Sequence, residues 1–357
     1  MMHSGLLILD KPQGVTSFDM VAAVRGTLHI KKVGHAGTLD PMATGVLVVG
    51  FGNVTRLLNP IVGHAKTYET TIRLGQRTTT DDADGEIIAP VAASAASFKS
   101  ASLLDRATIE RTIADRLTGD ILQVPSTYSA IKIDGQRAYD LAREGKAVEL
   151  QARPVTIHAF DVLDVRPAVA ADGTPVVDVD ARVDCSSGTY IRSLGRDLGD
   201  LLGVGGHLTR LRRTRVGKFD LTDPFIASRA VHAVVDTKTF TNRDGETITR
   251  NRAVLSLDGG QTGESSGSDR AALLLQHALP AAVSARMCMP SMDITPEEAR
   301  DLRFGRRIER KPKEPTAAIA GDDLVAIIER ANGHQAKPVT VFPDETTATQ
   351  PPKERKA

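Results

Sequence analysis

Apolar and polar positions along this chain follow two periods, one near two residues and one near three and a half. Gly5-Leu6-Leu7-Ile8-Leu9-Asp10 is a nearly continuous apolar run closed by Lys11-Pro12-Gln13-Gly14, which predicts a buried strand ending in a turn. Met20, Val21, Val24 and Leu28 then recur at helical spacing behind Thr16 and Ser17, either of which can cap the helix. A loop from Lys31 to Gly45, with three glycines and a proline after the basic pair, leads into Val46-Leu47-Val48-Val49, a strand buried on both faces. Tyr68, Thr70, Ile72 and Leu74 alternate with Glu69, Thr71 and Arg73, the pattern of a half-buried strand, and Gly75 ends it.

The polar run Arg77 to Glu86 predicts a surface loop, and Ile109, Ile113 and Leu117 predict an amphipathic helix stopping near Gly119. Ser126 to Ile133 reads as extended and Tyr139 to Arg143 as a short helix. Val155 to Val165 and Val176 to Val183 are strand-like, and Thr295-Pro296-Glu297-Glu298 is a helix start. Strands and helices mix without strict alternation, so the expected class is α+β, with a central mixed sheet flanked by helices.

Composition divides the chain further. After Phe225 the segment Thr237 to Asp269 is rich in Asn, Asp, Gly, Ser and Thr, the chemistry of a flexible insertion or linker. The expected organisation is a catalytic domain over 1–225, a variable linker over 226–286, a small ordered domain over 287–342 and a disordered polar tail over 343–357.

The 357 residues are 41% hydrophobic and 25% charged, with no apolar run of the ~18 residues a membrane span needs. The first apolar run stops at Asp10 and has no basic segment before it, unlike a secretory signal, so a cytoplasmic protein is expected. Cys185 and Cys288 stand far apart without ligand-spaced partners, which suggests neither a disulfide framework nor a metal site. Basic and acidic residues nearly balance, 45 against 44, yet no acid falls between Leu201 and Phe219, where Arg210, Arg212, Arg213, Arg215 and Lys218 crowd together. Such a strip suits a phosphate backbone. Aromatic residues make up only 4%, so recognition of a folded RNA shape is a better expectation than stacking along a single strand.

No phosphate-cradling loop with Gly-Lys-Ser/Thr and no Gly-x-Ser-x-Gly elbow occurs. The prominent string is Gly34-His35-Ala36-Gly37-Thr38-Leu39-Asp40-Pro41-Met42-Ala43-Thr44-Gly45-Val46-Leu47, in which small residues leave the backbone open to a large ligand and Pro41 stiffens the chain after a carboxylate. It resembles the catalytic motif of the TruB family, the bacterial tRNA pseudouridine-55 synthases. The resemblance extends through Asp10-Lys11-Pro12, Lys66-Thr67-Tyr68, Arg73-Leu74-Gly75, Thr80-Asp81-Asp82-Ala83-Asp84-Gly85 and Gln123-x-Pro125-x-x-Tyr128-Ser129-Ala130-x-Lys132. It then continues in Cys185-Ser186-x-Gly188-Thr189-Tyr190-Ile191-Arg192 and Gly206-His207-Leu208-x-x-Leu211-Arg212-Arg213, in the family's order.

The resemblance implies a pseudouridine synthase fold with a small C-terminal PUA-like domain, of the variant kind in actinobacterial members. It implies that Asp40 is the carboxylate for converting uridine to pseudouridine in the T loop of tRNA, without metal or cofactor. Arg192 would pair with Asp40, and Tyr68 would stack on the target base and assist proton removal. Tyr190 and Leu211 match positions of the base pocket, and His35 matches a histidine at the place from which the nucleotide is flipped. Lys11, Lys132, Arg212 and Arg213 are assigned to phosphate contact or to support of the fold, and Arg300, Arg303, Arg306, Arg307, Arg310 and Lys311 to possible further RNA contact. The expected partner is the T arm of tRNA, bound by a monomer with no obligate protein partner. Two rivals are a non-catalytic RNA-binding protein on the same scaffold and a synthase acting on another RNA. The first has no use for Asp40, Tyr68 and Arg192 together.

Overall fold

A computed structural model describes residues 4–88, 101–126, 132–133, 136–137, 150–241, 245–257 and 267–344. In chain order the elements begin with β1 (Gly5–Lys11), α1 (Ser17–Leu28), β2 (Val33–His35), β3 (Thr44–Phe51), α2 (Leu58–Val62), β4 (Lys66–Leu74) and α3 (Arg106–Arg116). There follow β5 (Gly119–Gln123), β6 (Lys132–Ile133), β7 (Gln136–Arg137), β8 (Arg153–Val169), β9 (Pro175–Cys185), α4 (Ile191–Leu202), β10 (Gly206–Val216) and β11 (Phe219–Asp220). The last are α5 (Pro224–Ala227), β12 (Ala230–Thr241), β13 (Thr247–Ser256), α6 (Gly267–Gln276), α7 (Ala281–Cys288), β14 (Ser291–Asp293), α8 (Pro296–Arg303), β15 (Thr316–Ala320), β16 (Asp323–Arg330) and β17 (Ala336–Val341).

Hydrophobic periodicity located β1, α1, β3, β4, α3, β8 and β9. Thr16 caps α1 in a reciprocal box with Asp19, Asp105 caps α3, and Thr295 caps α8 with Glu298 returning the bond. Each satisfies amide groups that the first helical turn leaves without partners. The extended stretch expected at Ser126–Ile133 and the helix expected at Tyr139–Arg143 fall largely outside the described residues, as does the expected tail beyond Asp344.

The chain forms two compact units, one of Asp40–Gly45 with Gly63–Val216, the other of Met1–Leu39, Val46–Val62 and Gly217–Ala357. In the first unit the strands run β10-β4-β9-β8-β5, every neighbouring pair antiparallel. Ile72, Val179, Val183 and Leu208 point into its core, and α4 adds Leu194 and Leu198, all fully buried. A buried aliphatic side chain of this size stabilises by ~1.5–3 kcal/mol. The helix comes this close to the sheet because Gly199 lacks a side chain. A Cβ there would lie 2.2 Å from the Gly205 carbonyl carbon and from the Gly206 nitrogen.

In the second unit β1 is deeply buried, with Leu6, Leu7, Ile8 and Leu9 all wholly inaccessible. It runs parallel to β12, which forms an antiparallel hairpin with β13. This hairpin departs from the flexible linker expected between Thr237 and Asp269. Its outer half is exposed on both faces, so no apolar alternation marks it in the sequence. It is held by a ten-pair ladder and by polar cross-strand pairs instead: Thr237 donates to Asn251 at 2.9 Å, Thr239 and Thr249 hydroxyls meet at 3.0 Å, and Arg252 pairs with Asp236. Residues 242–244 and 258–266, which carry much of the turn chemistry of that segment, lie outside the described residues.

The small C-terminal domain is a sheet of order β14-β15-β16-β17, with α8 closing a core of Ile294, Leu302, Ile308, Val325 and Ile328. Three of its arginines expected to contact RNA face acids of the domain itself: Arg303 pairs with Asp323, Arg306 with Asp301 at 3.1 Å and Arg310 with Glu298 at 2.7 Å. Arg300, Arg307 and Lys311 are exposed.

Two glycine-to-alanine substitutions test this packing in opposite directions. Gly199→Ala forces backbone apart and is expected to destabilise by ~2–3 kcal/mol or more. Gly26→Ala, in α1 with no neighbour within 4 Å of the added carbon, is expected to stabilise by ~0.5–1 kcal/mol. Urea unfolding of both variants against the wild-type chain measures the pair of signs.

Candidate functional site

The loop before β3 is fixed one residue at a time. Ser17, buried at the start of α1, accepts from the Leu39 amide at 2.8 Å and donates to the Leu39 carbonyl at 3.1 Å. The chain then turns at Asp40-Pro41-Met42-Ala43, where the Ala43 amide donates to the Asp40 carbonyl at 3.1 Å. Thr44 donates to the Leu211 carbonyl at 3.4 Å, and Thr44 and Gly45 pair in parallel with Arg212 and Arg213 of β10. Gly45 has φ +100° and lies so close to β10 that a Cβ would be 2.1 Å from the Arg213 carbonyl oxygen. No other residue type fits that position.

Asp40 leaves this turn partly exposed and meets a buried cation. Arg192, in the first turn of α4, brings its Nε to 2.9 Å from Asp40 Oδ2 and 3.5 Å from Asp82 Oδ2. Its Nη1 donates to the Thr80 carbonyl at 2.8 Å and to Ser126 Oγ at 3.3 Å. Side-chain exposure is 5% for Arg192 and for Asp82 but 36% for Asp40, so of the two carboxylates only Asp40 can be reached from solvent. Burial raises Asp82 above the usual carboxylate range, against the opposing pull of the Thr80 hydroxyl and Arg192.

On the strands beneath, Tyr68 of β4 lies across from Arg213 of β10 and Val183 of β9. Tyr68 is buried, and loss of solvent raises its phenol, with the Arg213 guanidinium opposing through charge and a hydrogen bond and Asp40 adding to the rise. Tyr68 is thus a neutral phenol at physiological pH. Two residues earlier Lys66 is also buried, its ammonium donating to the His64 carbonyl at 2.6 Å. Burial pushes it down to about 8, Arg213 acting in the same direction and Cys185 against.

Tyr190 occupies the N-cap position of α4, half-buried, with its backbone held by Gln123. Leu211 is buried on β10, two residues before Arg213. Asp40, Tyr68, Arg192, Tyr190 and Leu211 therefore share one compact unit. His35 and Lys11 belong to the other: His35 is half-buried on β2 opposite Val49, and Lys11 is fully buried with its ammonium donating to the Val15 carbonyl at 2.7 Å and the Pro12 carbonyl at 2.9 Å. The side chain of Lys132 lies outside the described residues.

The acid-free stretch read as a basic strip is a strand, and alternation disperses its charges. Arg213 is buried beside Tyr68, Arg215 makes two bonds to Asp184 at 2.8 and 2.9 Å, and Arg210 lies 3.9 Å from Glu69. Arg212 is half-buried. Periodicity also misread Asp82. The polar run Arg77–Glu86 was expected at the surface, yet Asp82 is buried, with Thr80 Oγ1 and the Asp84 amide donating to its carboxylate. Its partner Arg192 comes from 110 residues further along, a distance at which local patterning carries no signal. Gln123 and Ser126 were missed as site-building residues for the same reason. Among the described residues no group of three or more His, Cys, Asp or Glu side chains has the arrangement of a metal site.

Residues 25–191 match the model of the TruB family pseudouridylate synthase (N terminal domain). Residues 192–255 match the tRNA pseudouridylate synthase B C-terminal domain, and residues 289–343 match tRNA Pseudouridine synthase II, C terminal. The chain is 58% identical over 385 aligned residues to the tRNA pseudouridine synthase B of Bifidobacterium longum (strain DJO10A), covering 95% of this chain and 98% of that protein. It is 45% identical over 352 residues to the tRNA pseudouridine synthase B of Arthrobacter sp. (strain FB24), covering 96% and 97%. In fold it is similar to a chain from the crystal structure of a Cbf5-Nop10-Gar1 complex, with a TM-score of 0.60 at 22% identity over 94% of this chain and 84% of that one. The fold is that of the pseudouridine synthases.

The depressed lysine makes stability depend on pH. Below about 8 both folded and unfolded chains hold the Lys66 proton; between about 8 and the ordinary value of 10.5 only the unfolded chain does, so stability rises with pH across that window. Cys185, raised by burial to about 11, acts with the opposite sign above its ordinary value of 9.0. Comparison with Lys66→Met separates the two. Relative to that variant, wild-type stability in urea titrations is expected to climb by ~1–3 kcal/mol between pH 8 and 10, and a constant difference would contradict the burial of a titrating ammonium.

Proposed function

Because the chain belongs to the TruB family of pseudouridylate synthases, we propose that it isomerises uridine to pseudouridine at position 55, in the T loop of tRNA, with Asp40 as the catalytic carboxylate. The observation that carries the reading is the partly exposed Asp40 seated against the buried Arg192. The reaction breaks the bond from the uracil nitrogen to the sugar's anomeric carbon, turns the freed base, joins its C5 to the same carbon, and moves the C5 proton off as the nitrogen regains one. Atoms and electrons balance within the nucleoside, so an activated co-substrate has no part to play. A carboxylate serves by bonding to the sugar or base, or by facing positive charge at the anomeric carbon, and each route needs its charge held in one direction. Arg192 does this from the side away from solvent.

The remaining residues take supporting parts in this proposal. Tyr68 offers the ring face for the base and, as a neutral phenol, a hydroxyl whose proton Arg213 helps to orient. Tyr190 and Leu211 are assigned to the walls of the base pocket. His35 is assigned to the space vacated by the flipped nucleotide, where a side chain offsets part of the few kcal/mol of lost stacking and pairing. Arg212 and Lys132 are assigned to phosphate contact. In the C-terminal domain the exposed Arg300, Arg307 and Lys311 are the candidates for contact with the body of the tRNA.

Asp40→Asn keeps the shape of the side chain and removes its charge. The variant is expected to form no measurable pseudouridine in transcribed tRNA while binding it within a few fold of wild type. Mapping of pseudouridine at single-nucleotide resolution, combined with filter binding, reads both quantities, and substantial turnover by the purified variant would sink the assignment.

A further inference from the structure

Gln123 ends β5 and is almost fully buried, at 2% exposure, although its amide has four hydrogen-bonding positions to satisfy. Its Oε1 accepts from the Tyr190 amide at 2.8 Å and its Nε2 donates to the Tyr190 carbonyl at 3.0 Å. The side-chain amide thus pairs with a backbone as a neighbouring strand would, through one acceptor and one donor. Tyr190 is the N-cap of α4 and makes no side-chain cap bond, and Gln123 Oε1 takes the N-cap amide that the third helical residue takes in a capping box. Val124 and Ser126, just beyond it, bond the same helix. The Val124 carbonyl accepts from Arg196 at 2.7 Å, and Ser126 Oγ accepts from Arg192 at 3.3 Å.

We infer that Gln123 is a positioning residue for the isomerisation, acting through the Tyr190 backbone to set both the Tyr190 side chain and the helix start that aims Arg192 at Asp40. This rests on the activity proposed above. Two bonds to one residue, through the peptide groups on either side of its Cα, restrict its sliding and its rotation together, which a single bond does not. Arg192 follows two residues later and meets Asp40 at 2.9 Å, so a shift of about 1 Å at the helix start is large beside that contact. An amide is the needed group. An ionised glutamate would keep the bond from the Tyr190 amide and set its second oxygen against the Tyr190 carbonyl, whereas a protonated one would donate again.

The test uses full-length Gln123→Leu and Gln123→Glu with transcribed tRNA, reading the single-turnover rate at saturating tRNA, the tRNA Kd and the pH profile. Gln123→Leu is expected to slow the saturated rate by about 10–100-fold while Kd stays within about threefold. Gln123→Glu is expected to be slow at pH 8 and to regain rate relative to wild type as pH falls and its buried carboxyl takes up a proton. Wild-type rate in Gln123→Leu would overturn the inference. So would a deficit in Gln123→Glu that does not change with pH or lies in Kd alone, and this second variant decides the matter if the leucine protein does not fold. A wild-type chain that makes no pseudouridine in tRNA would instead overturn the activity reading and leave the Gln123 measurement without a reaction to report on.

Discussion

A guanidinium removed from water must find its counter-charge and its acceptors inside the protein. Arg192 meets that requirement with Asp40, Asp82, Thr80 and Ser126, drawn from three separate stretches of chain. Each partner is thereby tied to the others through one planar group. Two carboxylates share one cation, and burial makes them unequal: Asp82 is sealed in and raised, whereas Asp40 opens to solvent. The guanidinium that holds Asp40 also stitches the polar loop around Asp82 to α4, so turn, loop and helix are one construction.

The second constraint is the close approach of backbones. Gly45 lies against Arg213, and Gly199 against Gly205 and Gly206. The first contact seats the Asp40 turn on β10, and the second seats α4, with Arg192 at its start, on the same strand. β10 is therefore the common reference for both charged partners, and its antiparallel pairing with β4 carries Tyr68 into the same neighbourhood. Arg213 serves this geometry from inside the core, beside Tyr68 and Lys66.

Much of this was legible in the sequence, for identifiable reasons. β1, α1, β4, α3, β8 and β9 carry strong periodicity because each presents one apolar face or is buried on both. Asp40, Tyr68 and Arg192 stood out through the motifs that hold them, and they lie in one compact unit. What escaped was polar and non-local. The hairpin of β12 and β13 is stabilised by Thr, Asn and ion-pair contacts rather than an apolar face, so its composition reads as linker. Asp82 sits in a run of small polar residues whose burial depends on a distant arginine. The basic strip at Arg210–Arg215 was read along the chain, whereas a strand places neighbouring residues on opposite faces.

The pairing of Thr44 with Leu211 joins residues 167 apart in sequence. Arg192 reaches Thr80 across 112. Long loops must close before such contacts give anything back, which makes structures built on them slow to assemble. During synthesis the Asp40 turn emerges from the ribosome long before β10, the strand that fixes it. Arg192 follows about 150 residues later, and until about Val216 is available the turn still lacks its strand partner. The nascent chain therefore carries Asp40 before the strand that seats its turn, and the contacts around that turn are complete only when the last strand of the first unit docks.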